Sequence, residues 1–292
     1  MEDSEMDQAR KVILCDVDET LIDTTYSLTV DQRTLRDTIR TAQRHGISVG
    51  LNSDSGLGTL QRLAREWNMK GPIVAERGAL ISLKDSSGFG VTKFLLGKFN
   101  DEFLILRNRF LHALMENQGA NKYVVVLGDV NNLANSFPSL SGTEPQVLIL
   151  VNGFRERSLG FYVRRRADEG WTKCPEATSD VIGILDNIGP SIGAIWDDRD
   201  VDANPDYGIC IVHHRGTQKT LSVDQLLGGN SDQIFMIGNS MSDNLNHPSV
   251  IQCAVGNAHP KYKEVCQKTG GLIACHNLTA GVIELIDRIL YL

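Results

Sequence analysis

Apolar residues along this 292-residue chain follow two alternating spacings. Short unbroken runs, Val12 to Cys15, Ile47 to Leu51 and Ile73 to Ala75, have the length and β-branched content of buried strands. Between them, Leu35, Ile39 and Ala42, and then Leu57, Leu60, Leu63, Ala64 and Trp67, recur every three or four residues. That spacing predicts one helix from about Val30 to His45, closed by Gly46, and a second from about Leu57 to Asn68. The alternation resumes near the C-terminus. An amphipathic segment opens at Lys219 with Leu221, Val223, Leu226 and Leu227 as its apolar face, and strand-like runs follow at Ile234–Ile237 and Ile251–Val255. A closing helix spans Gly281 to Leu290. Strand and helix in turn predict an α/β fold with a Rossmann-like parallel sheet covered by helices, in which ligands bind at the carboxyl ends of the strands.

From roughly residue 83 to residue 212 the pattern changes. Gly, Ser and Asn loops separate strand-like runs at Tyr123–Leu127, Val147–Val151, Leu159–Val163, Ile192–Trp196 and Ile209–Val212 from helical stretches near Glu102–Glu116 and Pro175–Asn187. This reads as an α+β insertion large enough for its own core. The chain then divides into a first core segment (1–82), an insert (83–212) and a second core segment (213–292).

Composition narrows the function classes. With 41% hydrophobic and 22% charged residues the chain is an ordinary globular protein. Its net charge of −7 argues against nucleic-acid binding, since phosphate-contact surfaces carry a basic excess. The densest basic cluster, Arg164-Arg165-Arg166, is followed by Asp168 and Glu169 and reads as a solvated face. Residues 1–10 are acidic and lack an apolar centre, unlike a signal or transit peptide, and read as a short disordered lead-in. Without a run of about 18 apolar residues no membrane partner is expected. The six cysteines (Cys15, Cys174, Cys210, Cys253, Cys266, Cys275) include no Cys-x-x-Cys pair, which suggests a reducing cytoplasm. The Asn277-Leu278-Thr279 sequon is then unused. Nothing in the sequence sets an oligomeric state.

The candidate chemistry lies at the ends of the strand-like runs. Val12 to Cys15 leads into Asp16-Val17-Asp18-Glu19-Thr20, which places a carboxylate able to act as a nucleophile two residues before one able to act as acid and base. Two such charges this close favour a divalent cation, and Mg²⁺ prefers oxygen donors. Ile47 to Leu51 ends in Asn52-Ser53-Asp54-Ser55, a hydroxyl and backbone N–H groups at a predicted helix start, suited to phosphate oxygens. Ser53 is the candidate phosphate ligand, with Thr20, Asn52 and Asp54 beside it. Lys219 carries a charge able to neutralise both the carboxylate and a transferring phosphoryl group. Ile234–Ile237 ends in Gly238-Asn239-Ser240-Met241-Ser242-Asp243, where Asp243 completes a metal set with Asp16 and Asp18.

Taken together, these segments resemble the haloacid dehalogenase superfamily of phosphatases, in the Cof-type subclass with a large α+β cap between the second and third motifs. Asp16 and Asp18 match the first motif, Ser53 the second, Lys219 the third and Asp243 the fourth. Gly71 to Ala79 and Ala254 to Ala258 resemble two further strand ends of that family. The resemblance implies Mg²⁺-dependent hydrolysis of a phosphate monoester through an aspartyl-phosphate, with the insert selecting a small phosphorylated metabolite. Two positions depart from the family pattern: Asn239 stands where Asp is usual, which reduces the expected metal affinity, and Arg77 stands where Asn is usual. Within the insert, Asn152-Gly153-Phe154-Arg155-Glu156 with Ser158-Leu159-Gly160-Phe161 resembles the archaeal phosphoglycolate phosphatases. Arg155 is therefore the candidate for gripping a substrate carboxylate.

Three alternatives stay open: a sugar phosphatase, a phosphoryl- or glycosyl-transfer relative on the same core, and a binding protein with weakened catalysis. Other features are set aside. His213-His214 reads as structural, because adjacent residues of a strand point in opposite directions. Gly90 to Lys98 lacks P-loop spacing, and Gly56-Leu57-Gly58 lacks the third glycine of a dinucleotide loop. Asp197 to Asp202 lacks the glycine and terminal glutamate of a calcium loop and reads as solvated.

Overall fold

A computed structural model describes residues 11–84, 90–94, 102–117, 123–128, 147–167, 170–227 and 233–292. The acidic lead-in expected at residues 1–10 lies outside them, as does part of the Gly90 to Lys98 stretch. The chain forms two compact units, Met1–Leu95 with Gln218–Leu292, and Leu96–Thr217.

The first unit is built on a seven-stranded sheet in the order β13-β12-β1-β2-β3-β4-β5. Its strands are β1 (Lys11–Cys15), β2 (Ser48–Asn52), β3 (Ile73–Ala75), β4 (Leu80–Lys84), β5 (Gly90–Phe94), β12 (Gln233–Gly238) and β13 (Val250–Ala254). β13, β12, β1, β2 and β3 run parallel, and β4 and β5 add an antiparallel hairpin. Residues of β1 alternate between the two faces, and the hydrophobic clusters follow them. Ile13 and Cys15 pack with α1 (Gln32–Arg44), α2 (Leu57–Glu66) and the Leu278–Ile289 helix, while Val12 and Leu14 pack with Val223, Leu226 and Met236. Both faces of the parallel strands are buried, which is why those strands read as continuous apolar runs.

The second unit has a six-stranded sheet. β10 (Arg199–Asn204), β11 (Ile209–His214), β8 (Ser158–Ala167), β7 (Val147–Asn152) and β6 (Tyr123–Gly128) lie in that order, with β9 (Gly170–Lys173) beside β8. Only β6 and β7 are parallel within that path. One face is covered by α3 (Glu102–Asn117) and the Pro175–Ile188 helix around Phe110, Phe161, Leu114 and Val181.

Several expectations shift. The unit boundaries lie further along the chain, at Leu95 and Thr217 rather than 82 and 212, because β4 and β5 extend the first sheet and β11 runs on to His214. Ile192–Trp196 is a 3₁₀ turn (Gly189–Ile192) and a short helix (Ala194–Asp197), not a strand. The backbone folds back so closely there that a Cβ at Gly189 would meet the Trp196 ring at 2.0 Å. The acidic run expected to be a solvated loop is largely β10, a sheet-edge strand whose Asp200 and Asp202 point to solvent, a common way to keep an edge from pairing further. The Lys219 segment is a 3₁₀ turn (Lys219–Ser222) followed by a one-turn helix (Val223–Leu226), with Leu221 partly exposed.

Candidate active site

The parallel strands β1, β2 and β12 all end at one edge of the sheet, and the polar residues that follow them converge there. Asp16 leaves β1 with its amide bonded to the carbonyl of Ile237, so its position is fixed by the neighbouring strand. The chain then turns sharply: the amides of Thr20, Leu21 and Ile22 all donate to the carbonyl of Val17, and Glu19 takes a left-handed φ of 57°. Asp16 is buried and Asp18 is exposed.

Lys219 is the hub. Its ammonium donates to Asp16 Oδ1 at 2.8 Å and to Asp243 Oδ1 at 2.7 Å, with all three side chains buried. The other oxygen of Asp243 accepts from the backbone amides of Asn239 and Ser240 at 2.9 and 3.0 Å. Both Asp243 oxygens are thus committed to protein donors. The free face of Asp16 points elsewhere: the Thr20 hydroxyl lies 3.2 Å from Asp16 Oδ2 and 3.3 Å from Asn239 Oδ1, so those two oxygens converge on one buried hydroxyl.

Electrostatics follow from this crowding. Burial is the largest influence on Asp16 and raises its carboxyl to about 8; Lys219 opposes the rise, and Asp243 and Asp18 add to it. For Lys219, burial works against the charged form, but the Asp16, Asp243 and Asp54 carboxylates outweigh it and hold the ammonium above its ordinary range.

The second strand end adds polar groups. Ser53 is buried, its amide bonded to Val74 and its Oγ accepting from the Ser55 amide, which leaves the hydroxyl proton for another acceptor. One carboxylate oxygen of Asp54 is buried without a hydrogen-bond partner. Asn52 is buried against Met236 Sδ at 3.8 Å, with its Oδ1 unpartnered. The structure thus links Asp16, Thr20, Asn239, Lys219 and Asp243 in one hydrogen-bonded cluster with Asp54 in electrostatic reach, while Asn52 sits below it in the core.

Glycines and an asparagine hold the cluster in place. Gly78 has a φ of 88°, and a Cβ there would lie 2.1 Å from the Gln218 carbonyl, so only glycine lets the end of β3 approach the turn that carries Lys219. At Gly238 a Cβ would fall 2.4 Å from Asp243, which folds back against it. Asn257 donates to the Glu19 carbonyl at 2.8 Å and accepts from the Leu278 amide at 2.8 Å, tying the Asp18 turn to the C-terminal helix. No role for Asn257 was legible beforehand. Its signal in the sequence is its place in Ala254 to Ala258, the segment that resembles a strand end of the family.

Mg²⁺, which the resemblance implies, takes hard oxygen donors, with one or two carboxylates completed by water and phosphate. Asp16 Oδ2 and Asn239 Oδ1 supply one anionic and one neutral oxygen, so the donor chemistry fits. Asp243, expected among the ligands, accepts from Lys219 and from two backbone amides. Among the described residues no group of three or more His, Cys, Asp or Glu side chains is arranged to hold a metal ion. That statement includes the histidine pair: His213 is buried 3.3 Å from Asp200, and His214 Nδ1 accepts from the Gly216 amide.

In the second unit Arg155 is only 5% exposed. Its Nη1 donates to Ser158 Oγ at 2.9 Å, its Nε has no hydrogen-bond partner, and it meets no carboxylate among the described residues. Its side chain lies over Gly160, where a Cβ would meet Nε at 2.6 Å.

No protein-family model and no curated protein matches the sequence. Solved structures do match. A haloacid dehalogenase-like hydrolase from Bacteroides thetaiotaomicron superposes with a TM-score of 0.59 at 18% identity, covering 96% of this chain and 99% of that one. A putative HAD/COF-like hydrolase from Plasmodium vivax gives 0.54 at 19% identity, over 97% of this chain and 96% of that one. A trehalose-6-phosphate phosphatase related protein gives 0.54 at 10% identity, over 96% and 97%. At these identities the likeness is one of fold, and the chain has the fold of the haloacid dehalogenase-like hydrolases, with the insert between its two core segments.

Proposed function

We propose that this protein hydrolyses phosphate monoesters. The observation that carries the reading is Lys219 clamped between Asp16 and Asp243 at the carboxyl edge of β1 and β12, because a buried ammonium there fixes one carboxylate and offers charge to an incoming phosphoryl group. In this reading the ionised form of Asp16 attacks phosphorus and the ester P–O bond breaks, while Asp18 gives its proton to the leaving oxygen. Asp18 then takes a proton from water as that water attacks the aspartyl-phosphate, releasing phosphate and restoring Asp16. Ser53 donates to a phosphoryl oxygen. Thr20, buried between Asp16 and Asn239, orients Asp16 rather than touching the substrate. Mg²⁺ held by Asp16 and Asn239 would supply a positive charge for the phosphoryl oxygens. The direct test is phosphate release from a panel of monoesters with and without Mg²⁺. Asp16→Asn should lower turnover at least about a thousandfold while the protein stays folded. Substantial turnover in that variant excludes the aspartyl-phosphate route.

The finer reading is a small phosphorylated acid of the phosphoglycolate type. It rests on Arg155, a buried guanidinium with a single hydroxyl partner among the described residues, the condition in which an anionic ligand is most strongly favoured. Arg155→Ala should cost roughly ten- to a hundredfold in kcat/KM for an acidic substrate and much less for a neutral sugar phosphate. An equal loss for both would make Arg155 structural, and a wild-type preference for hexose phosphates would favour a sugar phosphatase.

A further inference from the structure

A polar side chain stands on β13 where its neighbours are apolar. Gln252 shares a face of that strand with Val250, pairs in register with Met236 of β12 and is only 1% exposed, beside the apolar cluster that holds Met236, Leu245 and Val250. Burying an amide there costs free energy unless its polar atoms find partners. One orientation provides them: the Gln252 nitrogen donates to the Asp243 carbonyl and to the Tyr262 hydroxyl, and the Gln252 oxygen accepts from the Leu245 amide, each at 3.2 Å. Turned over, the amide would set its oxygen against the Asp243 carbonyl and its nitrogen against the Leu245 N–H. With Gln252 donating to it, the Tyr262 hydroxyl has its own proton free for the Met236 carbonyl, 3.5 Å away, and burial holds that phenol well above its ordinary range, so the proton stays in place.

These bonds grip the chain on both sides of Asn244. Asp243 is thereby fixed twice: its Oδ2 accepts from the amides of Asn239 and Ser240, and its carbonyl accepts from Gln252, so Oδ1 is left with one direction, toward Lys219 at 2.7 Å. We propose that Gln252 is a positioning residue, whose amide holds the backbone of the Asp243 turn and, through the Asp243 carboxylate, the ammonium of Lys219. Its effect on turnover rests on the phosphatase reading, whereas its effect on the placement of Lys219 does not. Tyr262, on the Pro260–Lys268 helix, is bonded through its hydroxyl to Gln252 and the Met236 carbonyl. It belongs to the same buried network but does not itself bridge Asp243 and Leu245.

The test uses the full chain with nitrogen-15 lysine, its side-chain ammonium signals followed by NMR alongside the turnover of phosphate monoesters. Held between two carboxylates in a buried site, the Lys219 ammonium should exchange slowly with water and give a resolved signal in the wild type. Gln252→Met keeps the length and removes the amide. It should shift or broaden the Lys219 signal and lower kcat about tenfold with KM within about twofold, the size expected for hydrogen bonds lost in a buried site. Should that variant not fold, Gln252→Asn, whose amide is too short to span Asp243 and Leu245, should give the same change. Tyr262→Phe loosens the same core away from the turn, so it should lower the melting temperature and leave the Lys219 signal and kcat as in the wild type. If folded Gln252 variants keep the wild-type Lys219 signal or the wild-type kcat, or if Tyr262→Phe alters both equally, Gln252 does not position the turn. If the wild type hydrolyses no phosphate ester, the phosphatase reading fails and the Lys219 signal alone decides the role of Gln252.

Discussion

The residue whose state decides most is Asp16. Its carboxyl is raised from 3.8 to about 8, with burial the main cause, so between those values the folded protein holds a proton that the unfolded chain has released. Stability should therefore fall as pH rises through that window, the loss being complete above about 8. Asp16→Asn removes the titration while keeping nearly the same shape. In metal-free buffer the variant should melt a few degrees above wild type at pH 8, and the difference should close towards pH 4. Parallel melting curves across that range would show that Asp16 does not titrate there. Lys219 does not disturb the comparison, because its ammonium is held above its ordinary range and stays charged throughout.

At the scale of elements, the site depends on how closely neighbouring turns approach. The Asp18 turn, with Glu19 in the left-handed region, is tied by Asn257 to the start of the Leu278–Ile289 helix. Asn257→Ala removes two hydrogen bonds, each worth about 1 kcal/mol, so stability should fall by about 1–2 kcal/mol. Turnover should fall several-fold with little change in KM, since the turn that carries Asp18 loosens. A variant that loses stability but keeps its kcat would separate Asn257 from the chemistry. Gly78 is the complementary case, because any side chain there must displace the backbone next to Lys219. The sequence displayed Gly78 in plain view but gave no means of knowing which backbone lay against it.

At the scale of the molecule, the first unit is discontinuous: β1 pairs with β2 on one side and with β12 on the other, and β12 comes from the far end of the chain. A fragment ending before Gln218 lacks the strand that covers that edge, so its first 95 residues should stay unfolded and its melt should show the insert's transition alone. The insert, Leu96–Thr217, contains its own sheet and a core built around Phe110, Phe161 and Val181, and should melt cooperatively when expressed alone. Circular dichroism of the two fragments checks both outcomes. No helix among the described residues is long and apolar enough to cross a membrane.

The sequence determined the parallel half of the first sheet because strands buried on both faces leave unbroken apolar runs, and α1 and α2 because one buried face repeats every three or four residues. It also marked the strand ends where Asp16, Ser53 and Asn239 stand, since ligand groups in such sheets follow the strands. The edge strands β5, β9 and β10 escaped it: a strand with one solvated side carries no apolar run, and the acids of β10 read as a loop. The tertiary structure alone decided how the charges pair. Asp243 and Lys219 are 24 residues apart and Lys219 and Asp16 203 apart, yet their bonds form because three separate turns meet at one sheet edge. Periodicity along a chain reports which face of an element is buried, whereas a hydrogen bond between distant turns depends on distances that only the folded backbone fixes. For that reason Asp243 could be placed at the site from its sequence, but its bond to Lys219 could not.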